Sequence, residues 1–157
     1  MNTLSPSRSW AGLILERLPL LAAAVLLLIA TREPVVEIKG FDTFSLSSVA
    51  MWATRAARFT LGAALVFLLF RPLDLSRWWM ALSAGILLGP LADMAFRSAD
   101  LVEMMGSDAP SNPEEMIVLL SGAKICAAGF TFWVIDVILA IAGRIVRWRR
   151  SKKDVPV

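Results

Sequence analysis

The chain has 157 residues, 57% of them hydrophobic, with a mean hydropathy of +0.67 and a formal charge of +3. That is too apolar for an ordinary soluble domain, and the length leaves room for one compact unit. With no histidine, no tyrosine and a single cysteine, these residues cannot build a haem site on imidazole, a His–Cys zinc site, a Ser–His or Cys–His pair or a CxxC redox pair. No metal or cofactor is therefore expected, and Cys126, inside an apolar run, reads as a small core residue.

A helix needs about 20 mostly apolar residues to cross a bilayer. The first such stretch is 12–30, with the run "LPLLAAAVLLLIA". It reads as an uncleaved anchor, because Leu28 stands where a signal-peptide cleavage site wants a small residue. The segment 31–47, "TREPVVEIKGFDTF" and onward, is acidic on balance, and "VVEIKG" within it reads as a short extended piece. The second span is 48–70: its dense run "FTLGAALVFLLF" is too short alone and must extend back to Ser48, taking in Arg55 and Arg58. The third is 78–96, with Pro90 inside it as an expected kink. The loop 97–115 is strongly acidic and holds "DLVEMM", a candidate short surface helix. The fourth span is 116–143. Its start is signalled by "SNPEE", with Asn112 as cap, Pro113 at the first helical position and Glu114 and Glu115 facing the positive helix end.

Direction follows from lysine and arginine placement. The tail 144–157 carries Arg144, Arg147, Arg149, Arg150, Lys152 and Lys153, so it belongs on the cytoplasmic side. Four spans then put the N-terminus inside as well, with Arg8 and the link holding Arg71 and Arg77. The two acidic loops fall outside. Trp10, Trp78, Trp79 and Trp148 would all lie at the cytoplasmic interface, where amphipathic indoles collect. The predicted fold is an all-α integral membrane protein, a four-transmembrane-helix bundle with both ends in and two short acidic external loops. It forms a single membrane domain, placed in a bacterial inner membrane. The basic tail points to anionic lipid rather than nucleic acid.

Two lines of small residues are candidate helix seams. Ala81, Gly85 and Gly89 recur every four residues in the third span and lead to Asp93. Gly122, Gly129, Asp136 and Gly143 recur every seven in the fourth, a spacing that suits left-handed packing. The four helices packing on one another would account for both; alternatively one ridge docks a partner helix.

The intramembrane charges carry the functional reading. At ~1.5 Å per residue, Arg55, Arg58, Asp93 and Lys124 fall in the outer half, roughly 7–12 Å from the centre, and Arg17 and Asp136 at similar depth in the inner half. Lys124 and Asp136 are ~18 Å apart along the axis and cannot pair. The expected pairs are Asp93 with Lys124 and Asp136 with Arg17. The long stems of Arg55, Arg58 and Lys124 can also snorkel to headgroups. Otherwise the outer positive surplus marks a site for an anion or for another subunit's carboxylate.

The stretches "GPLADMAF" around Asp93 and "FWVIDVILA" around Asp136 resemble the two aspartate motifs of lipoprotein signal peptidases, which are also small four-span proteins. That resemblance would imply an intramembrane aspartyl enzyme. The chain departs from the pattern at Pro90, Met94, Val134 and Ile135, and the predicted topology puts the two aspartates at opposite ends, whereas an acid–base dyad must share one site. The preferred expectation is a non-enzymatic accessory subunit of a larger membrane complex, with other subunits or itself as partners. The alternative is a small oligomeric transporter or channel with a polar path through Asp93, Lys124 and Arg58.

Overall fold

The computed structural model of the chain describes residues 10–38, 43–70, 73–104 and 117–153. Side chains are described for 16–38, 43–70, 73–96, 100 and 117–149. The architecture is mostly helical: α1 (Trp10–Ala30), α2 (Leu46–Val49), α3 (Met51–Phe70), α4 (Leu73–Met104) and α5 (Ser121–Lys153). Among the described residues three helical stretches are long and apolar enough to cross a membrane, Met51–Phe70, Leu73–Phe96 and Ser121–Arg149. The long helices alternate in direction. α3 packs most closely on α4 and α1 on α5, and a lighter α1–α3 contact joins the two pairs.

The chain is not purely helical. β1 (Pro34–Ile38), β2 (Thr43–Ser45) and β3 (Ile117–Leu119) form an antiparallel sheet in the order β2-β1-β3. Glu37 lies opposite Thr43 on one side and Val118 on the other. The extended character expected of "VVEIKG" is thus present in β1. The fourth span, however, does not begin at Met116: residues 117–119 are strand, and the helix starts at Ser121. The "SNPEE" start signal lies outside the described residues. An open sheet edge cannot face hydrocarbon, because its backbone groups would stay unsatisfied. In a bilayer the sheet would therefore lie outside the hydrocarbon; it sits beyond the C-terminus of α1 and the N-terminus of α5.

The second predicted span also divides. Ser45 and Ser48 form a reciprocal cap that starts α2, and the chain breaks at Ala50 before α3 begins. The Thr54 hydroxyl donates to the carbonyls of Leu46 and Ala50, both at 2.9 Å, and so ties the two helices across the break. The third helix is longer than expected. It begins at Leu73, runs through Pro90, and absorbs the "DLVEM" segment into its own C-terminal turns. The core between α1, α3 and α4 includes Leu20, Leu27, Leu61, Met80 and Leu87, with Cys126 buried from α5. Within it a polar contact joins α3 and α4, Ser83 Oγ to Thr60 Oγ1 at 2.8 Å.

Candidate functional site

The two arginines of α1 and α3 each meet the C-terminal end of the other helix. Arg58 donates from Nε to the Thr31 hydroxyl at 3.0 Å and from Nη2 to the Thr31 carbonyl at 2.6 Å, just past the end of α1. Arg17 donates from Nη1 to the Leu68 carbonyl in the last turn of α3. Helix C-termini carry unsatisfied carbonyls and the negative end of the macrodipole, so a guanidinium there is compensated without a carboxylate. The antiparallel order of α1 and α3 is what makes the two caps reciprocal. Arg17 is less completely satisfied, since its Nε is buried with no hydrogen-bond partner.

This corrects the expected pairing of Asp136. Its carboxylate, 1% exposed, is held by Arg77 of α4 rather than by Arg17. Arg77 Nε reaches Oδ2 at 2.8 Å and Nη2 reaches Oδ1 at 3.0 Å, a bidentate fork. The physical reason is where α4 begins. A start at Trp78 would leave Arg77 in a loop, but the helix starts at Leu73 and puts Arg77 one turn inside, level with Asp136. The cluster continues outward: Asp74 Oδ1 lies 3.8 Å from Arg77 Nη1 and 3.6 Å from Arg144 Nη2. Charges alternate along it as Asp136, Arg77, Asp74 and Arg144, at the end of the bundle opposite the sheet. The sequence signal that would have found it is the spacing of Asp74 and Arg77, a helical i,i+3 pair.

The four residues expected in the outer half have different surroundings. Arg55 is exposed and stacks over the Trp52 ring, its guanidinium carbon 5.4 Å from the centroid. Arg58 is half-buried and engaged with Thr31. Lys124 is exposed on α5, while Asp93 is half-buried on α4 and is also engaged. Asp93 lies sixteen residues beyond Arg77 on α4, ~24 Å along the axis, so it and Asp136 cannot share a reaction centre.

The two small-residue lines behave differently. On α5, Gly122 and Gly129 are buried. A Cβ at Gly122 would stand 2.5 Å from the Pro34 carbonyl oxygen, and one at Gly129 would stand 2.8 Å from the Leu27 side chain. This line lets α5 approach β1 and α1, and Gly143, half-buried further along, has open space around it. On α4 the expected packing within the chain is absent. Ala81, Gly85 and Gly89 are exposed, and a Cβ at Gly85 or Gly89 would meet nothing within 4 Å. α4 turns its Leu87 and Met80 face to α3 and this ridge outward. Among the described residues no group of three or more acidic, cysteine or histidine side chains is placed to hold a metal ion. No protein-family model, curated protein or solved structure matches the chain.

Proposed function

We propose that the chain is a four-span protein of a bacterial inner membrane, with both ends cytoplasmic, that serves as a non-enzymatic accessory subunit. It docks on a larger membrane complex through the outward ridge of α4. In this reading α1 is the fourth crossing, alternating in direction with the three apolar helices of spanning length. The observation that carries the docking role is the open Ala81–Gly85–Gly89 line. Between helices in lipid, association is driven by close backbone approach over small residues. Here such a line lies on the outside of the bundle, flanked by exposed Leu82 and Leu88.

Arg55 and Lys124, both exposed, supply charge toward a partner at the sheet end, and Asp93 lies on α4 one turn beyond Gly89. The transporter reading is weaker, because Arg58 is engaged with Thr31 and Lys124 faces outward rather than into a shared path. Affinity purification in mild detergent tests the proposal. Unrelated membrane subunits should come down with the wild-type chain and be lost with Gly85→Leu plus Gly89→Leu, while the variant stays monodisperse. A wild-type chain that purifies alone or only with itself refutes it.

A further inference from the structure

The inner halves of α4 and α5 part to leave a lateral groove of about 280 Å³. Its walls are single helix faces: Asp74, Arg77, Trp78 and Ala81 on α4, and Trp133, Val137, Ala140, Ile141 and Arg144 on α5. Along its length the chemistry changes in one direction. Trp133, Val137 and Ala140 make an apolar wall toward the middle of the bundle. Asp74 and Arg144 make a charged rim at the end opposite the sheet. Arg77 lines the groove and is held from behind by the bidentate pair with Asp136.

We propose that this groove holds one anionic phospholipid, with an acyl chain against the α5 wall and its phosphate on Arg144. The site goes beyond the docking role of the α4 ridge and rests only on α4 and α5 lying in a bilayer. Three observations select this occupant. First, the groove is polar at one end and apolar at the other, the order of a lipid entering from the leaflet that holds the basic end of α5. Its volume lies near the lower end of small-molecule pockets, about 300–1,000 Å³, and below what a helix about 10 Å wide would fill. Second, Arg144 is available. Its side chain is 74% exposed, and it meets an Asp74 that is 70% exposed at 3.6 Å, a contact that a phosphate can displace. Third, among the described residues at this end the exposed cations Arg144, Arg147 and Arg149 outnumber the exposed carboxylates Glu16 and Asp74, which favours an anionic over a zwitterionic headgroup. Trp78, 76% exposed at the rim, lies where an indole meets headgroups.

Brominated acyl chains quench tryptophan on contact, so the test reconstitutes the full chain with dibromo-phosphatidylglycerol or dibromo-phosphatidylcholine. The Trp133 signal is taken as wild type minus Trp133→Phe. Trp133 should be quenched with a preference for phosphatidylglycerol. Arg144→Gln should reduce that preference by about fivefold, the loss expected for one cation near an anionic lipid. Ala140→Leu, which fills the wall, should remove the quenching. Equal quenching by the two lipids, or a preference unchanged in Arg144→Gln, overturns the assignment. So does a Trp133 that no brominated lipid reaches in a chain that elutes as a dimer, since a second copy then covers the groove.

Discussion

Neutralising Asp136 probes the inner cluster most directly. The carboxylate is 1% exposed and Arg77 is 23% exposed, so both charges depend on each other far more than on solvent. Asp136→Asn keeps the shape but leaves Arg77 as a half-buried cation whose remaining partner, Asp74, is 3.8 Å away and exposed. Removing one partner of a buried pair costs about 3–5 kcal/mol. The Asn amide oxygen still accepts one hydrogen bond, so we expect the lower end, about 3 kcal/mol. Arg77→Gln should cost a similar amount, because it strands the carboxylate. The double variant removes both charges, and its loss should fall short of the sum by about 2 kcal/mol. Unfolding in mixed micelles titrated with sodium dodecyl sulfate, followed by tryptophan fluorescence, supplies the four free energies. The control cycle pairs Asp136→Asn with Arg17→Gln, which should be additive within about 0.5 kcal/mol because these residues share no contact. Coupling to Arg17 instead of Arg77, or additivity in both cycles, refutes the pairing.

The two helix caps should differ in strength. Arg58→Met removes two charge-assisted hydrogen bonds and should cost about 2 kcal/mol, while Arg17→Met, which removes one and relieves a buried unpaired Nε, should cost less than about 1 kcal/mol in the same titration. Gly122→Ala should destabilise the chain by about 1–3 kcal/mol, because the added methyl meets the Pro34 backbone and not a movable side chain, whereas Gly85→Ala should be neutral or slightly stabilising. Ser83→Ala should cost about 1 kcal/mol through the lost Thr60 contact, read as a lower midpoint in thermal size-exclusion. Reporter fusions after Lys153 should show a cytoplasmic C-terminus; a periplasmic-active reporter there would reverse the assignment of leaflets.

The helices were legible because apolar runs of the right length have few alternatives in a chain this hydrophobic. Boundaries were less so, and the site depended on them. Residues 117–119, "IVL", are as apolar as the helix that follows, and nothing in the run marks the change to strand; only pairing with β1 decides it. Arg77 was hidden by a boundary error of one turn, since apolar density rises only at Trp78. Arg17 and Arg58 were legible as charges inside apolar helices but not in their partners. Sequence reading looks for a carboxylate, whereas a backbone carbonyl at a helix end leaves no residue-type signal. The Ala81 ridge was legible as a line of small residues. Its direction was not, because Leu82, Met80 and Leu87 offer faces of similar apolarity on either side.

These assignments alter where an external partner can engage. Before pairing is known, three cations against one carboxylate in the outer half read as an unbalanced site. The Thr31 carbonyl removes Arg58 from that set, and the Trp52 ring partly covers Arg55. At the other end Asp136 and Arg77 cancel. Both half-buried arginines near the ends of the first helix pair, Arg17 and Arg58, hold that pair together and are not free for a ligand. Two other features are uncommitted: a line of small residues on α4, and a charged rim above an apolar wall in the groove between α4 and α5. In a bilayer the first suits another helix, for which backbone approach matters, and the second suits a lipid, for which charge at one end matters. The two faces meet at Ala81, but Gly85 and Gly89 lie outside the groove lining, so a variant at either glycine should leave the lipid readout unchanged. Loss of lipid preference in Gly85→Leu, or of subunit capture in Arg144→Gln, would show that a single occupant spans both.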